Sequence, residues 1–128
     1  MNIKELAKKY DLNKTDFWEL KRGSMSKWII THDAVEKIAY KEGITFSMPD
    51  IIRDGNNDIA MLGTGTLKER TEWSTGEASP KNCKAPYPFA MAEKRLKYRL
   101  TLKLINAYQY GIYSDVEADA FKRETMNN

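Results

Sequence analysis

The longest regular pattern of hydrophobic and polar positions runs from Pro88 to Tyr110, and it predicts one long helix. Pro is favoured in the first helical turn, where its missing N–H has no intrahelical partner to lose, and Gly111 is a typical stop. At about 100° per residue, one apolar stripe falls on a single helix face and predicts contact with the core. Its members are Phe89, Ala92, Leu96, Leu100, Leu104 and Ala107.

A second apolar stripe lies on roughly the opposite side of this helix. It consists of Met91, Tyr98, Leu102 and Ile105. A helix that rests on one sheet needs only one stripe, so the second stripe implies a second packing partner. Two partners fit equally well. One is a neighbouring copy, which would make these residues the interface of a homo-oligomer, and the other is the set of N-terminal helices of the same chain.

The rest of the chain supplies shorter elements. Segments 2–9 and 14–22 read as short amphipathic helices, and a third helix is predicted over 32–42, where Thr31 is a good N-cap and Gly43 a typical stop. Strand patterns follow over 44–48, 59–67 and 70–76, with hairpin-type turn residues at 54–57.

These elements predict an α+β fold in a single domain, 1–128. Short N-terminal helices occupy 1–43. The core, 44–111, is a three-stranded antiparallel β-meander followed by one long helix, a β-β-β-α arrangement. Residues 112–128 are polar and acidic, and we expect this tail to fray.

Composition narrows the class of protein. The chain has 128 residues, 41% of them hydrophobic and 30% charged, which is typical of one folded soluble domain. No apolar run approaches the roughly 20 residues of a membrane span. The single cysteine, Cys83, excludes an internal disulfide and fits a reducing cytoplasm.

Charge is unevenly distributed along the chain. The segment from Lys81 to Lys103 has seven basic residues against Glu93 alone, a charge of +6, and since the whole chain carries +3, the remainder carries −3. The basic residues are Lys81, Lys84, Lys94, Arg95, Lys97, Arg99 and Lys103. On the long helix they form two edges between the stripes, Lys94 with Lys97 and Arg95 with Arg99. Such a strip fits a phosphate backbone or a solvated helix edge equally well.

The pattern argues against an enzyme. His32 is the only histidine and stands in a helix-capping turn, while Cys83 has no histidine or cysteine at a recognisable spacing. Metal-ligand spacing is absent, and the run GTGTL lacks the Gly-Lys-Ser/Thr of a phosphate loop. We therefore expect no catalytic residue, no metal and no cofactor.

Aromatic residues accompany the basic segment and favour nucleic acid. Proteins that bind single strands combine a cationic groove with aromatic faces on which bases stack. Trp73 on the third strand and Tyr87 in the loop before the long helix are the aromatic candidates. Together with the seven basic residues they form the predicted nucleic-acid-binding set.

The runs TGEASP and KNCKAPYPFAMAEKRLKYRLTLKLI resemble the strand-to-helix signature of small phage single-strand annealing proteins, relatives of the eukaryotic recombination protein Rad-fifty-two. The resemblance covers about 44–111 and rests on element order and on the AEKR-x-x-x-R helix pattern. It implies a homo-oligomeric ring that binds single-stranded DNA in a basic groove and anneals complementary strands without ATP. It also implies the cytoplasm of an infected bacterium, with a phage nuclease or single-strand binding protein as a candidate partner.

Two alternatives remain open at this point. Helix, three strands and helix is also the order of a double-stranded RNA-binding domain, although Pro86, Tyr87, Pro88 and Phe89 stand where that module has lysines. The other alternative is a small phage adaptor or inhibitor that binds a host protein through the second apolar stripe.

Overall fold

The structure, a computed structural model, describes residues 2–81 and 86–118. Helices are α1 (Ile3–Tyr10), α2 (His32–Glu42) and α3 (Pro88–Leu104). Strands are β1 (Phe17–Arg22), β2 (Met25–Ile30), β3 (Thr45–Phe46), β4 (Asp50–Gly55), β5 (Asp58–Leu67), β6 (Arg70–Ala78) and β7 (Ile112–Ser114). Short 3-10 turns occupy Lys14–Asp16 and Ala107–Tyr110, and residues 115–118 are helical.

The strands form two sheets, and this overturns the predicted core of one meander and one helix. Sheet A has the order β1-β2-β7, with β1 antiparallel and β7 parallel to β2. In sheet B, β5 is central: β3 and β4 pair with one of its sides and β6 with the other, all antiparallel.

The segment predicted as a helix over 14–22 is instead a 3-10 turn followed by strand β1. Its composition, FWELKR, contains good helix formers, which is why the local pattern misleads. Pairing with β2 decides the outcome, since Phe17 lies opposite Ile30 and Arg22 opposite Met25 across a two-residue turn. Gly23 in this turn has a φ of +56°, and positive φ values are typical of tight hairpin turns.

Residues 112–118, predicted to fray, belong to the folded core. Strand β7 pairs with β2, and both Ile112 and Ser114 are completely buried. A three-residue strand gives almost no periodic signal in a sequence, and its position is fixed by pairing with a strand more than eighty residues earlier. The remainder of the predicted tail, 119–128, lies outside the described residues.

Helix α3 separates two hydrophobic clusters. On one side, Leu96 and Leu100 pack with Ile59 and Met61 of β5 against sheet B. On the other side, Tyr98, Leu102 and Ile105 pack into a cluster built by α1, α2, β2 and β7. That cluster also contains Ile3, Leu6, Tyr10, Ile30, Ala34, Val35, Ile38, Ala107 and Ile112.

The second apolar stripe is therefore covered by the chain itself. Tyr98, Leu102 and Ile105 are all at least nine-tenths buried, which places them in the intramolecular core and not on a surface available to another copy. Met91 is partly buried at the margin of the sheet B cluster. Phe89, assigned by its periodicity to the core stripe, is instead exposed in the first turn of α3.

Several elements confirm their predictions. The helix over 32–42 has the expected bounds, because the Thr31 hydroxyl accepts a hydrogen bond from the Ala34 N–H at 3.2 Å and Gly43 ends the helix in the left-handed conformation. Helix α3 begins at Pro88 as expected, but it ends at Leu104 and not at Tyr110.

Gly76 on β6 allows α3 to approach sheet B unusually closely. A Cβ atom there would lie 2.1 Å from the Ala92 carbonyl oxygen and 2.6 Å from the Leu96 nitrogen, both backbone atoms of the helix. A Cβ atom at Gly63 or Gly65 would meet leucine side chains of α3 instead, at 3.0 and 3.3 Å. The closest backbone contact is thus at Gly76.

We predict that Gly76→Ala destabilises the protein by about 3 kcal/mol, the upper range of overpacking costs, because helix backbone cannot move aside as a flexible side chain can. Urea denaturation followed by circular dichroism measures this change. Gly55→Ala in β4 is the matched control, since its Cβ would meet nothing within 4 Å, and a change within about 0.5 kcal/mol is expected. Equal effects at the two positions would contradict the close approach.

Candidate nucleic-acid interface

The outer edge of β6 is covered by cationic side chains of α3. Lys103 Nζ donates to the Trp73 carbonyl at 2.6 Å, Arg99 Nη1 to the Thr75 carbonyl at 2.9 Å, and Arg95 Nη1 to the Glu77 carbonyl at 2.7 Å. Edge strands expose a row of unpaired carbonyls that can recruit other strands. Here three of those carbonyls are satisfied by the basic helix.

Matching repeats of helix and strand produce this arrangement. The three cations recur every four residues, about 6 Å along a helix, and the three carbonyls recur every two residues, about 6.6 Å along a strand. Because α3 runs antiparallel to β6, Lys103 meets the start of the strand and Arg95 its end. We call these three interactions the edge ladder.

Arg99 is the most heavily engaged member of the edge ladder. Its guanidinium also forms a two-pronged pair with the Glu77 carboxylate at 2.9 and 2.7 Å, and its Nε lies 3.4 Å from Glu117. The hydrogen bond from Arg99 holds the pKa of the Glu77 carboxyl below its ordinary value of 4.5. Arg95 is itself 9% exposed. Much of the Arg95–Arg99 edge therefore serves the fold.

The other edge of α3 faces α2. Lys94 is exposed. Lys97 pairs with Glu93, one helical turn earlier, at 3.1 Å, and the Lys97 ammonium lies 5.7 Å from the centre of the Phe46 ring. Both lysines line a cavity of about 320 Å³ between the two helices. The structure thus separates the two basic edges predicted from the sequence.

Sheet B has a face that α3 does not cover, and Trp73 stands on it. Trp73 is 61% exposed and lies opposite Thr64 of β5, while the neighbouring pair of Thr66 and Thr71 joins its hydroxyls at 3.0 Å. A groove of about 370 Å³ adjoins the ring on this face. It is lined by Ser47, Asp50, Leu62, Gly63, Thr64 and Trp73.

Cations lie near both ends of β6. Lys103 Nζ is 5.2 Å from the centre of the Trp73 ring, so the ring and a positive charge are presented together. Lys81 is exposed just beyond the far end of β6, and Tyr87 is exposed at the start of α3. Lys84 and Cys83 lie outside the described residues. Of the predicted set, the structure brings Trp73 and Lys103 into contact.

Arg70, a residue that no sequence pattern singles out, caps the C-terminus of α3. Its guanidinium donates to the carbonyls of Lys103 and Leu104 at 3.2 and 3.1 Å and to the Asn106 side chain at 2.9 Å. The last carbonyls of a helix lack intrahelical partners, and a cation there also complements the helix dipole. Asn106 then takes a φ of +62°, which ends the helix before Tyr110. No sequence motif marks this long-range cap.

His32 has a structural role at the start of α2. The Asp115 carboxylate accepts hydrogen bonds from the His32 backbone N–H at 3.1 Å and from its ring Nδ1 at 3.0 Å. The hydrogen bond with Asp115 raises the pKa of His32 above its ordinary value of 6.5. This pair ties the chain after β7 to helix α2.

Comparison of the chain with protein-family models, with curated proteins and with solved structures gives no match. Within residues 2–81 and 86–118, no helix is long and apolar enough to cross a membrane. The same residues contain no cluster of three or more histidine, cysteine or acidic side chains suited to a metal ion.

We predict that Arg99→Gln lowers the free energy of unfolding by about 2 kcal/mol at pH 7, because it leaves Glu77 and the Thr75 carbonyl without their charged donor. The contribution of the Glu77 carboxylate is fully present above its unfolded pKa of 4.5 and is lost as the pH falls through its lower folded pKa. The difference between wild type and Arg99→Gln should therefore narrow below about pH 4.5.

Urea titrations between pH 3 and pH 7 measure both effects. Lys97→Gln is the matched control on the opposite helix edge, where an exposed pair one turn apart contributes about 0.3–0.5 kcal/mol. A gap between wild type and Arg99→Gln that stays constant with pH would contradict the role assigned to Glu77.

Proposed function

We propose that this protein binds single-stranded DNA without sequence preference, through the uncovered face of sheet B around Trp73. The observation that carries the proposal is a tryptophan 61% exposed on an open sheet face with an ammonium group beside its ring. An exposed aromatic ring offers a face on which a base can stack, and such stacking contributes roughly 1–3 kcal/mol.

The surroundings of Trp73 support a single strand over a duplex. A base that stacks on the indole presents its π-face to the protein, and this requires that the base leave its stacked neighbour on that face, which a flexible single strand permits more easily than a duplex. Threonine hydroxyls on β5 and β6 can donate to phosphate or sugar oxygens without reading sequence. The A-form groove of duplex RNA, in contrast, is read by shape across a minor groove.

Strand annealing is the activity that we propose on this basis. A stacked base keeps its Watson–Crick edge accessible, so a complementary strand can pair with it while it is bound. Nothing in this step requires ATP. The AEKR-x-x-x-R pattern of the long helix, the part of the resemblance to phage single-strand annealing proteins that does not depend on the overturned element order, supports the same activity, in the cytoplasm of an infected bacterium, with a phage nuclease or single-strand binding protein as a candidate partner.

The charge arrangement predicts a modest dependence on salt. Arg99 is neutralised by Glu77 and Glu117, and Arg95 is buried, so phosphate contacts fall mainly to Lys103 and to Lys81. For single strands, log affinity falls with log salt by roughly 0.7 per contacted phosphate. The slope should therefore be shallower than the seven basic residues of the segment would suggest.

We predict that Trp73→Ala weakens binding to a labelled oligo(dT) by about tenfold, since 1.4 kcal/mol of lost stacking corresponds to a factor of ten. Fluorescence anisotropy measures the affinity, and a strand-annealing assay should slow in parallel. Trp18→Ala is the matched control, a tryptophan 38% exposed on sheet A, and it should leave affinity within twofold. Equal losses of affinity in the two variants, or no loss from Trp73→Ala, would contradict the proposed surface.

Competition tests the ligand. If duplex RNA displaces the labelled oligonucleotide and single-stranded DNA does not, the proposed ligand is wrong.

We predict that the double substitution Lys81→Gln with Lys103→Gln lowers the salt slope by about 1.4, twice the roughly 0.7 of one phosphate contact. The control pair, Lys94→Gln with Lys97→Gln, lies on the α2 edge and should leave the slope unchanged. Titrations at four or more salt concentrations measure it. A reduced slope in the control pair alone would place the strand on the opposite edge of α3.

A further inference from the structure

The two edges of sheet B are treated differently. The carbonyls of β6 are covered by the edge ladder, whereas in the part of the chain that the structure describes no strand pairs with the outer side of β4. Successive residues of a strand direct their N–H and C=O groups to opposite sides, so part of the β4 backbone faces away from β5. Such an edge is a template for another strand.

Strand β4 also presents apolar side chains. All six of its residues are exposed, and Ile51 and Ile52 remain 54% and 58% exposed. Met48, just before the strand, is 91% exposed. Helix α3 lies over β5 and β6, so it leaves Ile51 uncovered on the helix side of the sheet. Large apolar side chains beside an open strand edge indicate an interaction surface.

A register shift in β4 places an acidic and a basic residue of this strand on the same face of sheet B. Asp50 lies opposite Leu62 and Arg53 opposite Ala60, while Ile52 is skipped in the pairing with β5. Residues directly opposite each other share a face, and Leu62 and Ala60 are two positions apart on β5. Asp50 and Arg53 therefore lie on the same face of the sheet, the one that α3 does not cover.

When two β4 strands are placed side by side and antiparallel, the charges and apolar side chains of one match those of the other. About a two-fold axis centred between Ile51 and Ile52, Asp50 comes opposite Arg53 of a second copy and Ile51 comes opposite Ile52 of that copy. A two-fold axis perpendicular to the sheet leaves the uncovered faces of the two copies on the same side of the joined sheet. Both pairs of Asp50 with Arg53 therefore lie on that uncovered face. We propose that two copies of this chain pair through β4 in this register and form a continuous sheet.

The paired charges make this register selective. Moving one copy along the other by two residues takes Asp50 and Arg53 out of opposition, and in a parallel arrangement like charges meet like charges. One strand pair buries little surface, so the dimer should be weak and its population should rise with protein concentration. The pairing is isologous and closes as a dimer, unlike the head-to-tail contacts of a ring.

Charge reversal tests the register directly, without DNA. Asp50→Arg places arginine opposite Arg53, and Arg53→Asp places aspartate opposite Asp50 and also removes the contact of Arg53 with Asp58 at 3.0 Å in its own chain, so each variant alone should be monomeric. An equimolar mixture of the two should dimerise again, because each of its two cross-strand pairs is then one positive and one negative charge. Sedimentation equilibrium over a wide range of concentrations measures the average mass of wild type, each variant and the mixture.

Two further variants separate pairing from folding. Ile52→Lys changes an exposed side chain on the edge and should abolish the dimer, whereas Tyr40→Lys changes an 88% exposed side chain on α2 and should not. Circular dichroism melts check that every variant is folded. A monomeric wild type, a mixture that stays monomeric while both variants are folded, or a larger assembly unaffected by Ile52→Lys would each overturn the proposal.

Discussion

The contact on which the rest of the structure depends is the approach of α3 to β6 at Gly76. Any side chain there would collide with the helix backbone, so the absence of a Cβ fixes the helix against the strand. At that distance the arginine and lysine side chains of α3 reach the β6 carbonyls, and Arg70 of β6 reaches the carbonyls at the end of α3. Strand and helix each satisfy the backbone groups that the other leaves unpaired, which explains why a buried interface can carry so many charges.

This contact changes the meaning of the basic segment. A count of charges along the sequence cannot distinguish cations that bind backbone carbonyls from cations available to a ligand. Arg95 and Arg99 belong to the first kind, and the Arg99 pair with Glu77 removes much of its external field. Lys103 also donates to a β6 carbonyl, but that bond leaves its positive charge beside the exposed Trp73 ring. The proposed DNA binding therefore depends on a smaller set of lysines for phosphate contacts and gives the exposed ring of Trp73 a larger share.

Local patterns predicted the parts of the fold that local interactions decide. Helix α2 was predicted because Thr31 and Gly43 mark its ends, and β5 and β6 because strand patterns cover 59–67 and 70–76 and hairpin-type residues at 54–57 precede β5. In the structure, Asn56 and Asn57 of that turn adopt positive φ. The errors concern elements that strand pairing and tertiary packing decide: β1 is a strand because the adjacent β2 pairs with it, β7 because it reaches β2 from more than eighty residues away, and α3 ends where Arg70 binds it. The second stripe of α3 was predicted to be buried, but its periodicity could not say whether this chain or another copy packs against it.

Trp73 and Lys103 were both among the predicted site residues, whereas their contact follows only from the antiparallel packing of α3 on β6.

The proposed pairing of β4 and the proposed DNA surface are compatible in geometry. A two-fold axis perpendicular to sheet B leaves the uncovered faces of both copies on the same side, so two Trp73 rings would stand on one continuous surface. A single strand that spans both rings would hold the copies at a high effective concentration, which would strengthen a contact that is weak in free solution. By reciprocity of coupled equilibria, a pre-formed dimer should then bind a long oligonucleotide more tightly than a short one that reaches a single ring. The covered edge at β6 limits this growth, because the unpaired strand edges in the described part of sheet B are those of β4 and of the two-residue strand β3, which lie on the same side of β5.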